Sequence, residues 1–392
     1  MGDVLAAIDL GSTRTKVLLV RPDSVTQLVV ENGLRRADAL TTMLDSLDGA
    51  VDKAAPQLRT GDRVVGVSMA TSWPSLVVHC EDGDQLSFAY DDPRSIAAGE
   101  PAFNGGVLAS TLFERSAYLA SLGKSIARIE TFGTTAYRHL GGEGGFDEWT
   151  ALALGEDAIR VDSGMPRPDR VGSFLGVAGN HLPGAFAGAP LICGSGDTLA
   201  AGAAAGQTFS TRYYLELGTS AVLLKTPVGG APSLVSGWPQ FGRQLVDSVL
   251  SPGGADARVL RTLRDAPFEA AAADLAFMVS HSTPVINGIA RLDRGAIQCH
   301  PELESEPATR RLTAALAMLM AEVAEVVDGE PVSCGGWLAE GPTFLEIARW
   351  AGIETSWVLR SSTASALALL GSKALDRDDL LASALRFATR WP

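Results

Sequence analysis

The chain has 392 residues, of which 45 are acidic and 32 basic, giving a formal charge of −13. It is 46% hydrophobic and 20% charged, a globular composition, and its length allows two domains with a sizeable core each. The acidic balance excludes a nucleic-acid binder working through a basic face, and no stretch is long and apolar enough to be read as a membrane span.

In chain order, residues 4–20 read as a β-hairpin, with Thr26–Val30 as a third strand. Ala37–Ala54 has helical apolar spacing through Leu40, Met43, Leu44, Leu47 and Val51. Arg63–Met69 and Leu76–Cys80 read as strands, and Asp82-Gly83-Asp84 as a turn. From about 95 to 160 the pattern is mainly helical, broken at Gly141–Gly145, and Pro166, Pro168, Gly172 and Gly176 mark irregular connection. Ala189–Cys193 is a strand leading into a small-residue helix, Thr198–Ala205. Tyr213–Leu224 is a second hairpin, followed by a loop-rich span, Pro227–Gly254. Helices are expected at Phe268–Val279 and Ala308–Val327, a strand at Val332–Cys334, then a helix to Gly352 and another over Ser362–Lys373. Strands followed by helices in both halves indicate α/β layers. Four scattered cysteines, Cys80, Cys193, Cys299 and Cys334, lack zinc or redox spacing and read as small buried thiols. The first residues lack a signal-peptide pattern, so the expected setting is soluble and cytoplasmic.

The most informative pattern is a repeat. Asp9-Leu10-Gly11-Ser12-Thr13 returns as Glu216-Leu217-Gly218-Thr219-Ser220, each between two apolar runs. The repetition makes a duplicated α/β domain the preferred fold over one long sheet. In such a turn Gly lets the backbone approach a ligand, and Ser and Thr add hydroxyl donors without bulk. Asp9 stands where a carboxylate can hold hydrated Mg²⁺, and Lys16 where an ammonium can face phosphate oxygens. An ordinary hairpin is the bland alternative for either copy alone. The Walker pattern and the Rossmann glycine fingerprint are both missing.

Asp197 ends the turn Gly194-Ser195-Gly196-Asp197. It is either a helix N-cap or a general base placed at a cleft to take a proton from an attacking hydroxyl. Gly335-Gly336-Trp337 follows a short strand and offers either a plain structural turn or a flat surface for a planar base.

The ordered set of motifs resembles the FGGY carbohydrate kinases of the actin, hexokinase and Hsp70 ATPase superfamily. The matching stretches are Asp9–Lys16, Gly194–Asp197, Leu217–Ser220 and Cys334–Gly352, with Ser361–Lys373 similar to the family's closing helix. Tyr90-Asp91-Asp92-Pro93-Arg94 is similar to the family's sugar-cleft segment, and Phe146-Asp147 through Ala151 is a weaker echo of another. The resemblance implies two ribonuclease-H-like domains facing a cleft, 1–188 and 189–392. It implies ATP and Mg²⁺ as cofactors and a small sugar or polyol as substrate, with no nucleic-acid or membrane partner and a homodimer left open.

By the same resemblance Asp197 is the catalytic base and, with Asp9, lies on the metal side. Gly11, Ser12, Thr13, Lys16, Gly218, Thr219 and Ser220 hold phosphates, while Gly335, Gly336 and Trp337 hold the adenosine. Ser72, Trp73, Asp92 and Arg94 face the sugar. The chain departs from the family in being short and in lacking the Gly-Glu-Arg-X-Pro stretch near Pro284–His300. It also carries Glu340 and Arg349 where the family has small polar and acidic residues, and Thr71-Ser72-Trp73 where xylulokinase-like members have Met-His. Two rivals stand beside an ATP-dependent carbohydrate kinase. One is a non-catalytic sugar or nucleotide sensor on the same scaffold, and the other a superfamily kinase acting on a carboxylate or amino sugar.

Overall fold

The structure is a computed structural model. It describes residues 2–11, 14–31, 39–72, 75–88, 123–144, 147–154, 168–217, 221–226, 232–234, 290–293, 296–299 and 317–390 without 318, 319, 322, 337 and 338. These fall into two compact units. The first comprises Met1–Ala204 and Thr363–Ala388, and the second Ala205–Ser362 and Thr389–Pro392.

The first unit is built on a six-stranded sheet. The expected opening hairpin is present as β1 (Gly2–Leu10) and β2 (Arg14–Val20), with β3 (Val25–Glu31) on its far side. Helix α1 (Ala39–Ala54) packs on them through Leu40, Met43, Leu47 and Val51, the apolar positions read from the sequence. β4 (Asp62–Thr71) runs parallel to β1. Val4 to Leu10 are all buried, as befits a central strand covered on both faces. A carboxylate in that run, Asp9, is therefore conspicuous.

Beyond β4 the chain makes a smaller three-stranded sheet, β5 (Leu76–Cys80), β6 (Gln85–Phe88) and β7 (Ile126–Thr131), in the order β6-β5-β7. β7 lies where a mainly helical pattern was expected. Its residues Ile126-Ala-Arg-Ile-Glu-Thr131 are too few to show a period, and pairing with β5, which buries Ile129 against Leu76 and Val78, decides the conformation. Two helices follow, α2 (Phe132–His139) and α3 (Glu148–Leu154). Within the stretch expected to be irregular, β8 (Phe174–Val177) forms a short edge strand with Gly176 at φ +101°. It pairs antiparallel with β9 (Pro190–Ile192), which runs parallel to β4 and leads into α4 (Asp197–Phe209).

The sheet of the second unit begins with β10 (Tyr213–Leu217) and β11 (Ala221–Lys225), the second hairpin. β12 (Ser233–Leu234) extends it on one side, and a separate hairpin, β13 (Ala290–Asp293) and β14 (Ala296–Cys299), lies later in the chain. β15 (Val332–Gly335) joins β10 in parallel, α5 (Pro342–Trp350) follows, and β16 (Thr355–Leu359) joins β15 in parallel. α6 (Ser362–Ala374) and α7 (Asp378–Ala388) supply the returning segment of the first unit, and β17 (Thr389–Arg390) closes the second sheet. The sheet orders are β3-β2-β1-β4-β9-β8 and β12-β11-β10-β15-β16-β17. Strand directions also match: two antiparallel pairings, then two parallel ones, then an antiparallel edge.

The expected helix Phe268–Val279, most of Pro227–Gly254 and the segment Tyr90–Arg94 lie outside the described residues. Of Ala308–Val327, the described residues 317, 320, 321 and 323–327 are helical.

Candidate active site

The parallel core of the first sheet brings three chain segments to one edge. At the carboxyl end of β1, Asp9 pairs in register with Ala70 and Leu10 with Thr71. Ser72 N donates to Leu10 O at 3.1 Å, and a parallel bridge joins Thr71 to Gly196. Asp9, Ser72 and the Gly194–Asp197 turn thus share the sheet edge at which α/β proteins bind ligands.

Across the hairpin Asp9 faces Lys16, whose Nζ lies 3.5 Å from Oδ2. Burial pushes the Asp9 carboxyl above the ordinary carboxylate range, and the Lys16 ammonium pulls it back. Gly11 N donates to Arg14 O at 3.1 Å to close the turn, and a Cβ on Gly11 would come within 2.9 Å of that carbonyl. This donor set fits Mg²⁺, which is held by one or two carboxylates together with water and substrate phosphates rather than by a protein cage. Among the described residues no group of three or more His, Cys, Asp or Glu gathers as a cage.

Asp197 is half-buried and occupies the first position of α4. Ala200 N donates to Gly196 O at 2.9 Å, so Gly196 holds the cap position. Asp197 Oδ1 accepts from Thr198 N at 2.8 Å, and Thr363 Oγ1 donates to the Asp197 carbonyl at 3.4 Å.

The turn before Asp197 is held by residues from elsewhere in the chain. A Cβ on Gly194 would collide with the Met69 carbonyl, so only glycine lets the chain pass β4 there. Between the pairing of Ser68 with Ile192 and the bridge of Thr71 to Gly196 the ladder opens, and the buried Tyr137 hydroxyl fills the gap. Met69 N and Gly194 N donate to it at 3.0 and 2.9 Å. Its own proton goes to Ile192 O at 2.6 Å, closer than Met69 O at 3.1 Å. One phenol thereby replaces the missing rungs, and burial drives its ionisation well above the ordinary range.

Ser195 Oγ donates to Asp147 Oδ1 at 2.6 Å. The same oxygen accepts from Thr150 N at 2.9 Å, capping α3. Burial pushes the Asp147 carboxyl up. Thr71, Ser72, Ser75, Asp147, Thr150 and Ser195 line a cavity of ≈ 20 Å³, room for about one water molecule. Ser72 Oγ lies 3.2 Å from Ser75 Oγ.

The second copy of the repeat is built differently. Glu216 faces Val222 across its hairpin, where Asp9 faces Lys16. The buried Tyr214 hydroxyl donates to Glu216 Oε2 and Ser362 Oγ donates to Oε1 at 3.0 Å, so this carboxylate is tied into its own unit. A Cβ on Gly335 would collide with the Tyr214 hydroxyl, and Gly336, at φ +89°, would collide with the Leu217 backbone. Packing accounts for both glycines. Glu340 accepts from Ser361 N at 2.8 Å, anchoring a residue held at φ +45°.

Of the residues read as a site, Asp9, Gly11, Lys16, Ser72 and Asp197 fall in the first unit, and Gly335 and Gly336 in the second. Ser12, Thr13, Trp73, Asp92, Arg94, Gly218, Thr219, Ser220 and Trp337 lie outside the described residues. Tyr137 went unread because its role is a contact 57 residues along the chain from Gly194. Asp147 was read only as a faint echo.

No protein-family model matches the chain, and no curated protein matches it. Solved structures do. Xylulose kinase from Rhodospirillum rubrum superposes with a TM-score of 0.64 at 16% identity, over 99% of this chain and 93% of that one. Gluconate kinase from Lactobacillus acidophilus gives 0.69 at 10% identity, over 100% and 93%. Plasmodium falciparum glycerol kinase with ADP gives 0.60 at 12% identity, again over 100% and 93%. The chain therefore has the mixed α/β fold of these sugar kinases, as the resemblance implied. No helix among the described residues is long and apolar enough to cross a membrane.

Proposed function

We propose that the chain is an ATP-dependent kinase acting on a hydroxyl of a small sugar, ketose or polyol. The observation carrying this reading is that Asp9 and the Asp197 turn stand together at the carboxyl end of the parallel strands of a mixed sheet, in a fold shared with xylulose, gluconate and glycerol kinases. The identical strand order of the two sheets supports duplicated ribonuclease-H-like domains, one phosphate turn in each.

In the proposed reaction the acceptor hydroxyl attacks the γ-phosphorus of ATP and its proton passes to the Asp197 carboxylate. The bond from γ-phosphorus to the bridging oxygen breaks, and ADP leaves. Mg²⁺, when bound, neutralises charge on the phosphate oxygens. Asp9 would hold it, Lys16 sets its ammonium beside the first turn, and the Gly11 and Gly218 turns would offer backbone N–H groups to the phosphates. Gly335 to Trp337 and α5 take the adenosine side, and Ser72 with Trp73, Asp92 and Arg94 takes the acceptor.

The test is ADP release over a panel of ketoses, polyols and sugar acids, with Asp197→Ala beside the parent chain. Asp197→Ala is expected to bind Mg-ATP as the parent does and to lose turnover by about 10²-fold or more. Unchanged turnover in that variant removes Asp197 from the mechanism. Tight acceptor binding with no ADP formed by the parent overturns the kinase and leaves a sensor.

A further inference from the structure

Ser195 stands between two residues that lack side chains, Gly194 and Gly196. Within that turn it is the sole side chain by which the backbone before Asp197 can be gripped. The Gly194 end is fixed by the Tyr137 hydroxyl and by close passage against Met69. The Gly196 end, next to Asp197, is fixed by the bridge to Thr71, by the bond from Ala200 N to its carbonyl, and by Ser195. Two glycines leave such a segment free to choose among backbone conformations unless a side-chain bond selects one.

That bond is short and buried. Ser195 is 6% exposed and Asp147 is 8% exposed. A hydroxyl donating at 2.6 Å to a buried carboxyl oxygen is a short, well-formed hydrogen bond. Asp147 is itself held rigid, because the same oxygen caps α3, and Glu148 N donates to Asp169 O at 2.9 Å to tie that helix start to the chain before β8. One oxygen, Oδ1, serves both α3 and the turn and so couples the two.

We propose that Asp147 is a positioning residue, acting through the Ser195 hydroxyl to hold the Gly194–Gly196 turn so that Asp197 meets the acceptor hydroxyl. This rests on the reading of Asp197 as general base. Loss of the anchor leaves the acceptor and nucleotide contacts in place but spreads Asp197 over several positions. The defect therefore falls on turnover rather than on acceptor affinity, since a misplacement of about 1 Å can cost on the order of 10²-fold.

The experiment uses the full chain and the variants Asp147→Ala, Asp147→Asn, Ser195→Ala, the Asp147→Ala/Ser195→Ala double and Asp197→Ala. ADP release is followed with whichever of D-xylulose, D-gluconate and glycerol the parent turns over fastest. Amide hydrogen exchange over residues 194–200 is measured in parallel and decides where none of the three is accepted. Asp147→Ala and Ser195→Ala are expected to lower kcat by about 10–100-fold with KM within about threefold of the parent. Exchange at the turn should accelerate about tenfold or more. The double variant should be no worse than either single, as required when two residues act through one bond. Asp147→Asn keeps the acceptor oxygen and should recover both readouts.

Parent-like kcat and exchange in Ser195→Ala overturn the inference even if Asp147→Ala fails to fold, and so does a double variant whose loss is the product of the singles. If Asp197→Ala is inactive while the Asp147 and Ser195 variants turn over as the parent does, the inference fails alone. If Asp197→Ala turns over normally, the base assignment falls and takes the inference with it.

Discussion

At the scale of single residues, the first unit depends on polar groups placed where the sheet cannot satisfy itself. Tyr137→Phe removes one oxygen and leaves Met69 N, Gly194 N and Ile192 O without their shared partner. Unpaired buried groups cost about 1–3 kcal/mol each. Thermal unfolding should therefore shift down by at least several degrees, at about 2–4 °C per kcal/mol for a unit of this size. A second prediction concerns Asp147. Burial raises its pKa, so the folded state favours the protonated form. Its favourable contribution is complete below the ordinary carboxylate range and is lost as pH rises through the shifted value. Asn cannot ionise. The Tm of Asp147→Asn relative to the parent should hence climb with pH above the ordinary carboxylate range, then level off once Asp147 is ionised in both states. A difference that stays flat from pH 4 to 8 would show that Asp147 carries no such penalty. The repeat made Asp9 legible in the sequence, and the Gly-X-Gly-Asp turn made Asp197 legible. Neither Tyr137 nor the Ser195–Asp147 bond has a local signature, because each joins elements distant in the chain.

At the scale of elements, legibility followed the strength of the local pattern rather than length alone. Both hairpins, α1, β4 and β5 are long or strongly patterned, and they stand within two or three residues of where they were read. β7, β8 and β16 have four to six residues and are selected by the neighbours they pair with. Gly335 and Gly336 teach the converse lesson: the diglycine left a structural turn and a flat ligand surface both open, and Tyr214 and Leu217 by themselves require both glycines. Glycines of this chain can be sorted by the same reasoning. Gly49, inside α1, has nothing within 4 Å of an added Cβ, so Gly49→Ala should stabilise the first unit by about 0.5–1 kcal/mol in denaturant titration. Gly194→Ala should do the opposite. The methyl meets backbone, which cannot swing aside, so β4 and β9 must part and the variant should lose its cooperative transition or its solubility.

At the scale of the whole molecule, the first unit is discontinuous. Thr363–Ala388 returns to it after the second unit has been traversed. Leu367 and Leu375 lie beside Gly194 and Gly66, where a side chain on either glycine would meet them. Arg377 pairs with Asp3, and Ser383 Oγ donates to Pro22 O at 2.6 Å. A chain ended after Ser361 should consequently fail to give a cooperatively folded first unit. The expected result is dye-accessible apolar surface and a broadened unfolding transition, and a sharp parent-like transition would refute it. The recurrence of Asp9-Leu-Gly in Glu216-Leu-Gly announced the shared sheet order, but no local pattern signals that α6 and α7 rejoin the first unit.

That returning segment also sets a timetable. A ribosome delivers β1 to β9 early, then the span 205–362, and only afterwards the two helices that finish the first unit. At about 5–20 residues per second the unfinished sheet waits roughly 8–30 s with the ground for α6 and α7 bare. Unlike a chain whose domains close one behind another, this one completes its first-made unit only after the second has been traversed, and during that interval its newborn form is most exposed to misassembly.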